Sequence, residues 1–310
     1  MNIKKFVKNH VDTKKLAHIF GFIPDNVYLK IVYRLRIGKK LNLKEPKTFN
    51  EKIQWLKLYD RKPIYTTMVD KYEAKKYVAD IIGDEYIIPT LGVWDHFDDI
   101  DFASLPEQFV LKCTHDSGGL VICYNKGKFD KDVARKKIEQ SLKCNFYWVG
   151  REWPYKNVKP RIIAEKYMVD ESVYVDETYT GKEASNPQTE LMDYKLMCFN
   201  GKVKCSFVCS ERYSSNLKVT FFDNDWNVLP FERHYPKSTK PITKPHTFEK
   251  MVQLAEKLSA DIPFVRVDFY EINGDIYFGE LTFYPGDGFE EFTPDSADYD
   301  MGRLLKLPDY

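Results

Sequence analysis

Residues 264–284, "FVRVDFYEINGDIYFGELTFY", alternate polar and apolar side chains so regularly that few backbones can accept them. The pattern predicts two antiparallel strands around an Asn-Gly-Asp turn. With a three-residue loop of Asn273, Gly274 and Asp275, Ile272 lies opposite Ile276, so Asp268 faces Glu280 and Arg266 faces Thr282. The other side then carries Val265, Val267 and Phe269 against Phe283, Leu281 and Gly279. A two-residue loop would slip the register and mix the two sets. Directly opposed side chains in such a pair have Cβ atoms about 4.5–5.5 Å apart, where like charges repel. A cation must therefore sit between Asp268 and Glu280. Either a hard divalent ion beside phosphate oxygens or Arg266 together with solvent would serve.

The chain that carries this hairpin has 310 residues, 43% of them hydrophobic, 15% aromatic and 30% charged. That composition fits a globular protein of one large domain or two to three smaller ones. No apolar run approaches the roughly 18–20 residues that span a bilayer. The start, "MNIKKFVKNHVDTKKLAHIF", lacks the apolar core of a signal peptide, so the expected location is the cytoplasm. Six cysteines without a close CxxC pair read as reduced thiols. The net charge of +1 hides an asymmetry: residues 1–62 hold 16 Lys or Arg against 5 Asp or Glu, leaving 31 against 41 in the remainder. Within that basic part, "PDNVYLKIVYRLRIGKKLNL" reads as an amphipathic helix. It suits packing on the main body, a polyanionic acceptor or a peripheral membrane contact. No interleaved aromatic and basic pattern points to nucleic acid.

Helices are expected through the first 60 residues, the last capped by Asn50, and again from about Lys71 to Ile82. "EQFVLKCTHDSGGLVICYN" reads as strand, Gly loop, strand, and "DKDVARKKIEQSLKC" as a helix. "PRIIAEKYMV" and "ELMDYKLMCFNGKVKCSFVC" read as strands, the latter turning at Asn200-Gly201. "DETYTGKEASNPQTEL" between them reads as a loop or lid, residues 221–247 as an irregular insertion, and "TFEKMVQLAEKLSADI" as a helix. Antiparallel strands mixed with helices indicate α+β or α/β with several lobes.

Isolated side chains along this frame suggest anion chemistry. Lys112 ends an apolar strand and precedes Gly118 and Gly119, whose backbone amides can approach phosphate oxygens. The spacing matches neither a P-loop nor a dinucleotide fingerprint. Glu165 closes another apolar run, and Lys195 stands among apolar residues, where an ammonium needs an anionic partner. Arg212 is a candidate fork for a carboxylate or phosphate. Each of these also has a plain structural reading as a hairpin, a strand end or a solvated charge.

Their order along the chain adds information. Asp70-Lys71, Lys112 with its Gly loop, Glu165, Lys195, Arg266-Val267-Asp268 and Glu280-Leu281-Thr282 with Pro285-Gly286 form a series that resembles the ATP-grasp superfamily. "TFNEKIQWLKLYDRKP", "VLKCTHDSGG", "DYKLMCFNGK" and "GELTFYPG" resemble its TupA-like members, named for teichuronopeptide biosynthesis. The resemblance implies an α+β fold in which two lobes hold a nucleotide between antiparallel sheets. It implies a basic helical region over 1–62, a preceding lobe over 63–105, a small lobe with the Gly loop over 106–170 and a large lobe with the metal hairpin over 171–310.

By the same resemblance the cofactors are ATP and Mg²⁺. Lys71 and Lys112 would contact phosphates, with His115, Ser117, Gly118 and Gly119 as the phosphate cover. Glu165, Lys166, Tyr167 and Met168 would hold the adenosine, and Lys195 would be a further phosphate contact. Asp268, Glu280 and Thr282 would hold metal, Thr282 standing where many members place Asn, and Arg266, Lys195 and Arg212 would act on the transferred group. The implied activity is an ATP-dependent carboxylate–amine ligase. Its partners would be an acidic sugar or glycan carboxylate of a capsule, teichuronic or lipopolysaccharide precursor and an amino acid or other amine, with the basic N-terminal region at the cytoplasmic membrane face. Glycosyl transfer, with "DND" at 223–225 as its metal motif, and a non-catalytic nucleotide-binding scaffold are the alternatives.

Overall fold

The computed structural model describes residues 21–171, 191–211 and 217–309. Arg212 and the loop expected over 176–190 lie outside them. Helix α1 (Asp25–Arg36) buries Leu29 and Tyr33 and turns Val27, Ile31 and Leu35 to solvent. Helix α2 (Phe49–Tyr59) begins in a capping box: Thr48 accepts the Glu51 N–H, and the Glu51 carboxylate accepts the Thr48 N–H. Thr48, rather than Asn50, is therefore the cap. Asn50 lies one residue inside the helix, where its amide donates to the Glu290 carbonyl at 2.8 Å and to Asp298 at 3.1 Å. Helices α3 (Ile64–Val69) and α4 (Glu73–Ile82) are separated by Asp70, whose extended backbone (ψ 115°) breaks the helical path. The Asp70 carboxylate accepts the N–H groups of Tyr72 and Glu73, which explains why α4 starts later than its apolar pattern.

The middle of the chain forms β1 (Thr90–Trp94), β2 (Phe109–Cys113), β3 (Leu120–Cys123), α5 (Lys131–Leu142), α6 (Tyr147–Gly150) and β4 (Ile162–Lys166). Its four strands pair antiparallel in the order β1-β4-β2-β3. Ala134 and Ile138 of α5 pack on Phe109, Leu111 and Ala164 to give this sheet its own core.

The remainder forms β5 (Asp193–Phe199), β6 (Lys202–Ser210), β7 (Lys218–Phe222), β8 (Glu232–Arg233), α7 (Phe248–Leu258), β9 (Phe264–Ile272), β10 (Asp275–Thr282), β11 (Phe292–Thr293) and α8 (Ser296–Leu304). Five of these strands make a second antiparallel sheet, β10-β9-β5-β6-β7. One core unites that sheet with α2, α3, α4 and α7 through residues such as Phe49, Met68, Val78, Leu196, Met251 and Val267. The apolar stripes of the early helices are thus buried against strands that come more than 100 residues later in the chain. Strand β1, from the 63–105 segment, pairs with β4 of the 106–170 segment. Two antiparallel sheets, each packed with helices, make this an α+β fold.

The opening hairpin differs from its expectation in an instructive way. Asn273 (φ 54°) and Gly274 (φ 86°) make a two-residue turn, with Ile272 opposite Asp275 and Phe269 opposite Phe278. Positive φ at both centres is the signature of the turn whose twist suits a hairpin. At Gly279 the register shifts by one, and beyond this bulge Asp268 faces Glu280, Val267 faces Leu281 and Arg266 faces Thr282. The three-residue loop was the wrong route to the right pairing, because the extra residue sits in the strand. Phe278, not Gly279, fills the apolar position opposite Phe269. A Cβ at Gly279 would stand 3.1 Å from the Asp268 carbonyl oxygen and 3.2 Å from the Tyr270 ring. Gly279→Val should therefore lower the unfolding free energy in urea by about 1–3 kcal/mol through overpacking; undiminished stability would show that the bulge can yield.

Candidate active site

The two lobes enclose a cavity of about 350 Å³. Lys71, Lys112, Ser117, Gly118, Gly119, Glu165, Lys195, Asp268 and Glu280, far apart in the chain, all line it. Apolar side chains including Met68, Val69, Ile88, Phe278 and Leu281 complete the wall. Such a mixture suits a ligand with a flat apolar part and a polyanionic part.

Two ionic groupings face one another across this space. On the small lobe Glu165 lies between two ammonium groups, Lys75 Nζ at 2.6 Å and Lys112 Nζ at 2.5 Å. Burial alone would raise the Glu165 pKa, but Lys112 and Lys75 outweigh it and hold the carboxyl below its ordinary range. Lys75 also donates to the Ile88 carbonyl at 2.7 Å. On the large sheet Lys195 Nζ lies 2.5 Å from both Asp193 and Asp268. Arg266 meets Asp268 in a fork, Nε to Oδ1 and Nη2 to Oδ2 at 2.6 Å each, and reaches Glu280 at 2.7 Å. The Thr282 hydroxyl donates to Glu280 at 3.2 Å. Burial would depress the Lys195 pKa, yet Asp193 and Asp268 raise it above the ordinary value. For Glu280 burial pushes upward and is outweighed by Arg266, Lys195 and Lys71, so the carboxyl stays ionised. The cation required between Asp268 and Glu280 is, in this structure, the Arg266 guanidinium.

The Gly loop is held from behind. Lys71 donates to the Asp116 carbonyl, the Ser141 hydroxyl donates to the Asp116 carboxylate, and the Gly119 N–H reaches the same carboxylate at 3.3 Å. His115 is buried, with Nε2 at 3.1 and 3.0 Å from the Ser141 and Cys144 carbonyls. Its ring thus anchors the loop to the end of α5 and is not brought to the cavity. Lys166 ends β4 and Tyr167 and Met168 follow it, all three outside the lining, with the Lys166 N–H tied to the Pro89 carbonyl at 3.0 Å. Arg266 and Thr282 touch the site through the carboxylates they bind. The Asp223–Asp225 stretch is a turn, with Asp223 accepting the N–H groups of Asp225 and Asn227, and it lies off the cavity.

Sequence reading passed over Lys75, Tyr155 and Asp193, all of which line the cavity, as does Asp116 within the expected His115–Gly119 loop. Asp193 carried a usable signal, since residues two apart in a strand share a face with each other, here with Lys195. Lys75 and Tyr155 carried none, because only the packing of α4 and of the 151–158 segment brings them there.

The TupA-like ATPgrasp family profile matches residues 51–306. The chain belongs to that family. No curated protein matches it significantly. Among solved structures, D-alanine–D-alanine ligase from Helicobacter pylori is 14% identical with a TM-score of 0.38, covering 83% of this chain and 69% of that one. The Bacillus anthracis ligase complexed with ATP is 13% identical with a TM-score of 0.41, covering 77% of this chain, which spans 63% of that enzyme's length. The ATP-grasp ligase PsnB with its minimal precursor, Mg and ADP is 7% identical, with a TM-score of 0.37 and coverage of 94% and 75%.

In this ATP-grasp chain the pair Asp268 and Glu280 fits a Mg²⁺ site of the kind that relies on phosphate oxygens. Two hard carboxylates stand opposite each other beside a lysine-lined cavity, and Mg²⁺ commonly takes one or two carboxylates together with phosphate and water. Among the described residues no group of three His, Cys, Asp or Glu could hold a metal by itself.

Behind Tyr155 lies a second acidic grouping. Glu152, almost wholly buried, lies beside Asp287. Burial and then Asp287 raise the Glu152 pKa well above its ordinary value. Lys57 beside them donates to the carbonyls of Gly150 and Asp287 at 2.7 Å each. Burial pushes Lys57 down to about 8, against Asp287 and Glu152. Unfolded, the same lysine titrates near 10.5, so between these values the native state binds fewer protons and stability rises with pH. Parent protein should therefore gain stability over Lys57→Met, on the order of 3 kcal/mol, as pH is raised from about 8 to 10.5. Denaturant titrations showing a pH-independent difference would refute this.

Proposed function

We propose that this ATP-grasp ligase joins a carboxylate to an amine, with ATP passing to ADP and phosphate. The observation that carries the reading is the convergence of Lys71, Lys112 and Lys195 with the Asp268–Arg266–Glu280 cluster on one cavity between two sheets. In the first step a substrate carboxylate oxygen attacks the γ-phosphorus, the bond to the β–γ bridging oxygen breaks, and ADP leaves. The amine nitrogen then attacks the carbonyl carbon of the acyl phosphate, and phosphate leaves with the carbon–oxygen electron pair as the nitrogen gives up a proton.

The chain's own groups meet the needs of both steps. The three lysines spread positive charge along the phosphates, where a low-dielectric wall strengthens each contact. Arg266 is held flat by its fork to Asp268 and turns its remaining donor edge to Glu280, so its charge is oriented before substrate arrives. The Gly118–Gly119 loop lines the cavity and, braced by Asp116 and His115, covers the site against water. Mg²⁺ held by Asp268 and Glu280, with Thr282 beside them, would neutralise charge on the phosphate oxygens. Glu165 with Lys75 and Lys112 would orient the nucleotide at the hinge.

The finer reading is an acidic sugar of a bacterial surface polysaccharide as the carboxylate and an amino acid as the amine. It draws on the teichuronopeptide association of the family's name, and on the basic first 62 residues for contact with the membrane face. The exposed ridge Val27, Ile31 and Leu35 on α1, beside Lys30 and Arg34, supports that contact. Salt-sensitive sedimentation with anionic vesicles is the expected outcome, and no binding at low salt would remove it. For the chemistry, ATP consumption should depend on adding both uronate and amino acid. Asp268→Asn and Glu280→Gln should each lower it at least a hundredfold while keeping the parent's fold by circular dichroism. Full turnover in both variants would sink the metal assignment.

A further inference from the structure

We propose that Asp193 is a positioning residue that holds the Lys195 ammonium when Asp268 gives its charge to Mg²⁺; the proposal rests on the ligase reading above. Asp193 and Lys195 are two apart on β5 and project from one face of the sheet. Lys195 stands directly opposite Asp268 in the β5–β9 register, and Asp193 opposite Tyr270. The ammonium lies 2.5 Å from Asp193 Oδ2 and 2.5 Å from Asp268 Oδ2, so one cation is shared by two carboxylates. All three groups are buried, at 4%, 8% and 1% exposure for Asp193, Lys195 and Asp268.

Charge balance shows why two carboxylates are needed. The cluster has three acids, Asp193, Asp268 and Glu280, against two bases, Lys195 and Arg266. A divalent ion on Asp268 and Glu280 draws on two of the three acids. A buried ammonium stripped of its partner is strongly disfavoured, so without Asp193 the lysine would keep Asp268 and compete with the metal for it. Asp193 removes that competition and leaves Lys195 charged at the cavity wall, free to face a phosphate. Opposite β5, Tyr270 supplies no carboxylate that could take over this task.

The test is calorimetric ATP binding at a series of Mg²⁺ concentrations. Asp193→Asn should raise the Mg²⁺ concentration needed for half-maximal ATP affinity by about tenfold, the scale of one charge-assisted hydrogen bond. Binding of ATP without metal should change far less, because Asp268 still serves Lys195. The double variant Asp193→Asn, Lys195→Met should return the Mg²⁺ midpoint to the parental value, although ATP binds more weakly throughout. Asp193→Glu, which keeps a carboxylate, should stay nearer the parent than Asp193→Asn does. An unchanged midpoint in Asp193→Asn, or a midpoint that the double variant fails to recover, would overturn the proposal. A parent that binds no ATP at any Mg²⁺ concentration would overturn both this proposal and the ligase reading.

Discussion

Five ionic side chains on three adjacent strands, Asp193 and Lys195 on β5, Arg266 and Asp268 on β9 and Glu280 on β10, set the terms for the large lobe. Four of them are buried and Glu280 is partly exposed; the buried charges are tolerable only as a closed set, since removing one partner leaves another uncompensated. The set in turn demands one register. A slip of β10 by one residue would carry Glu280 to the opposite face and press Leu281 into the polar side. That demand conflicts with the turn, because Asn273 and Gly274 favour a two-residue loop and such a loop alone starts the hairpin in the other register. The bulge at Gly279 resolves the conflict. It absorbs one residue before the ionic pair, at the one position in β10 that has no side chain to place.

The small lobe is tied to this cluster through its own ionic grouping. Glu165 on β4 pairs with both Lys112 on β2 and Lys75 on α4, and α4 belongs to the core of the large lobe. Lys71, just before α4, reaches the Asp116 carbonyl in the Gly loop. The segment from Lys71 to Lys75 therefore touches both lobes, and the position of the Gly loop is coupled to how that segment packs. His115 contributes from the other side by fastening the loop to the carbonyls that end α5. Glycines bring no side chains with which to fasten such a loop, so neighbouring side chains do it.

The buried trio of Glu152, Asp287 and Lys57 is a different kind of arrangement. It joins the turn after β10 to α2 and to the segment before β4, and burial holds the Glu152 pKa well above its ordinary value. Proximity to Glu280 makes its protonation state part of the electrostatic surroundings of the candidate metal pair. None of this was legible in the sequence, where Glu152 stands in an unpatterned stretch and Lys57 on an ordinary amphipathic helix.

Local rules carried the reading a long way. Alternation in β9 and β10 assigned Asp268 and Glu280 to one face, Asn-Gly located both turns, and periodicity placed α4, α5 and α7, because each depends on neighbours within a few residues. The cap at Thr48 was misplaced by two residues since Asn50 is an equally good capping type, and only its contact with Asp298 and Glu290 shows that it serves the tertiary structure. What the sequence by itself determined was the content of each strand and helix and the order of charged residues that marks the family. Tertiary structure alone decided which of those charges meet: that Arg266 lies between the two acids, that Lys75 and Asp193 join the site, and that His115 turns away from it. The reason is that a strand's face follows from its own alternation, whereas the partner of a buried charge is chosen by packing between elements distant in the chain.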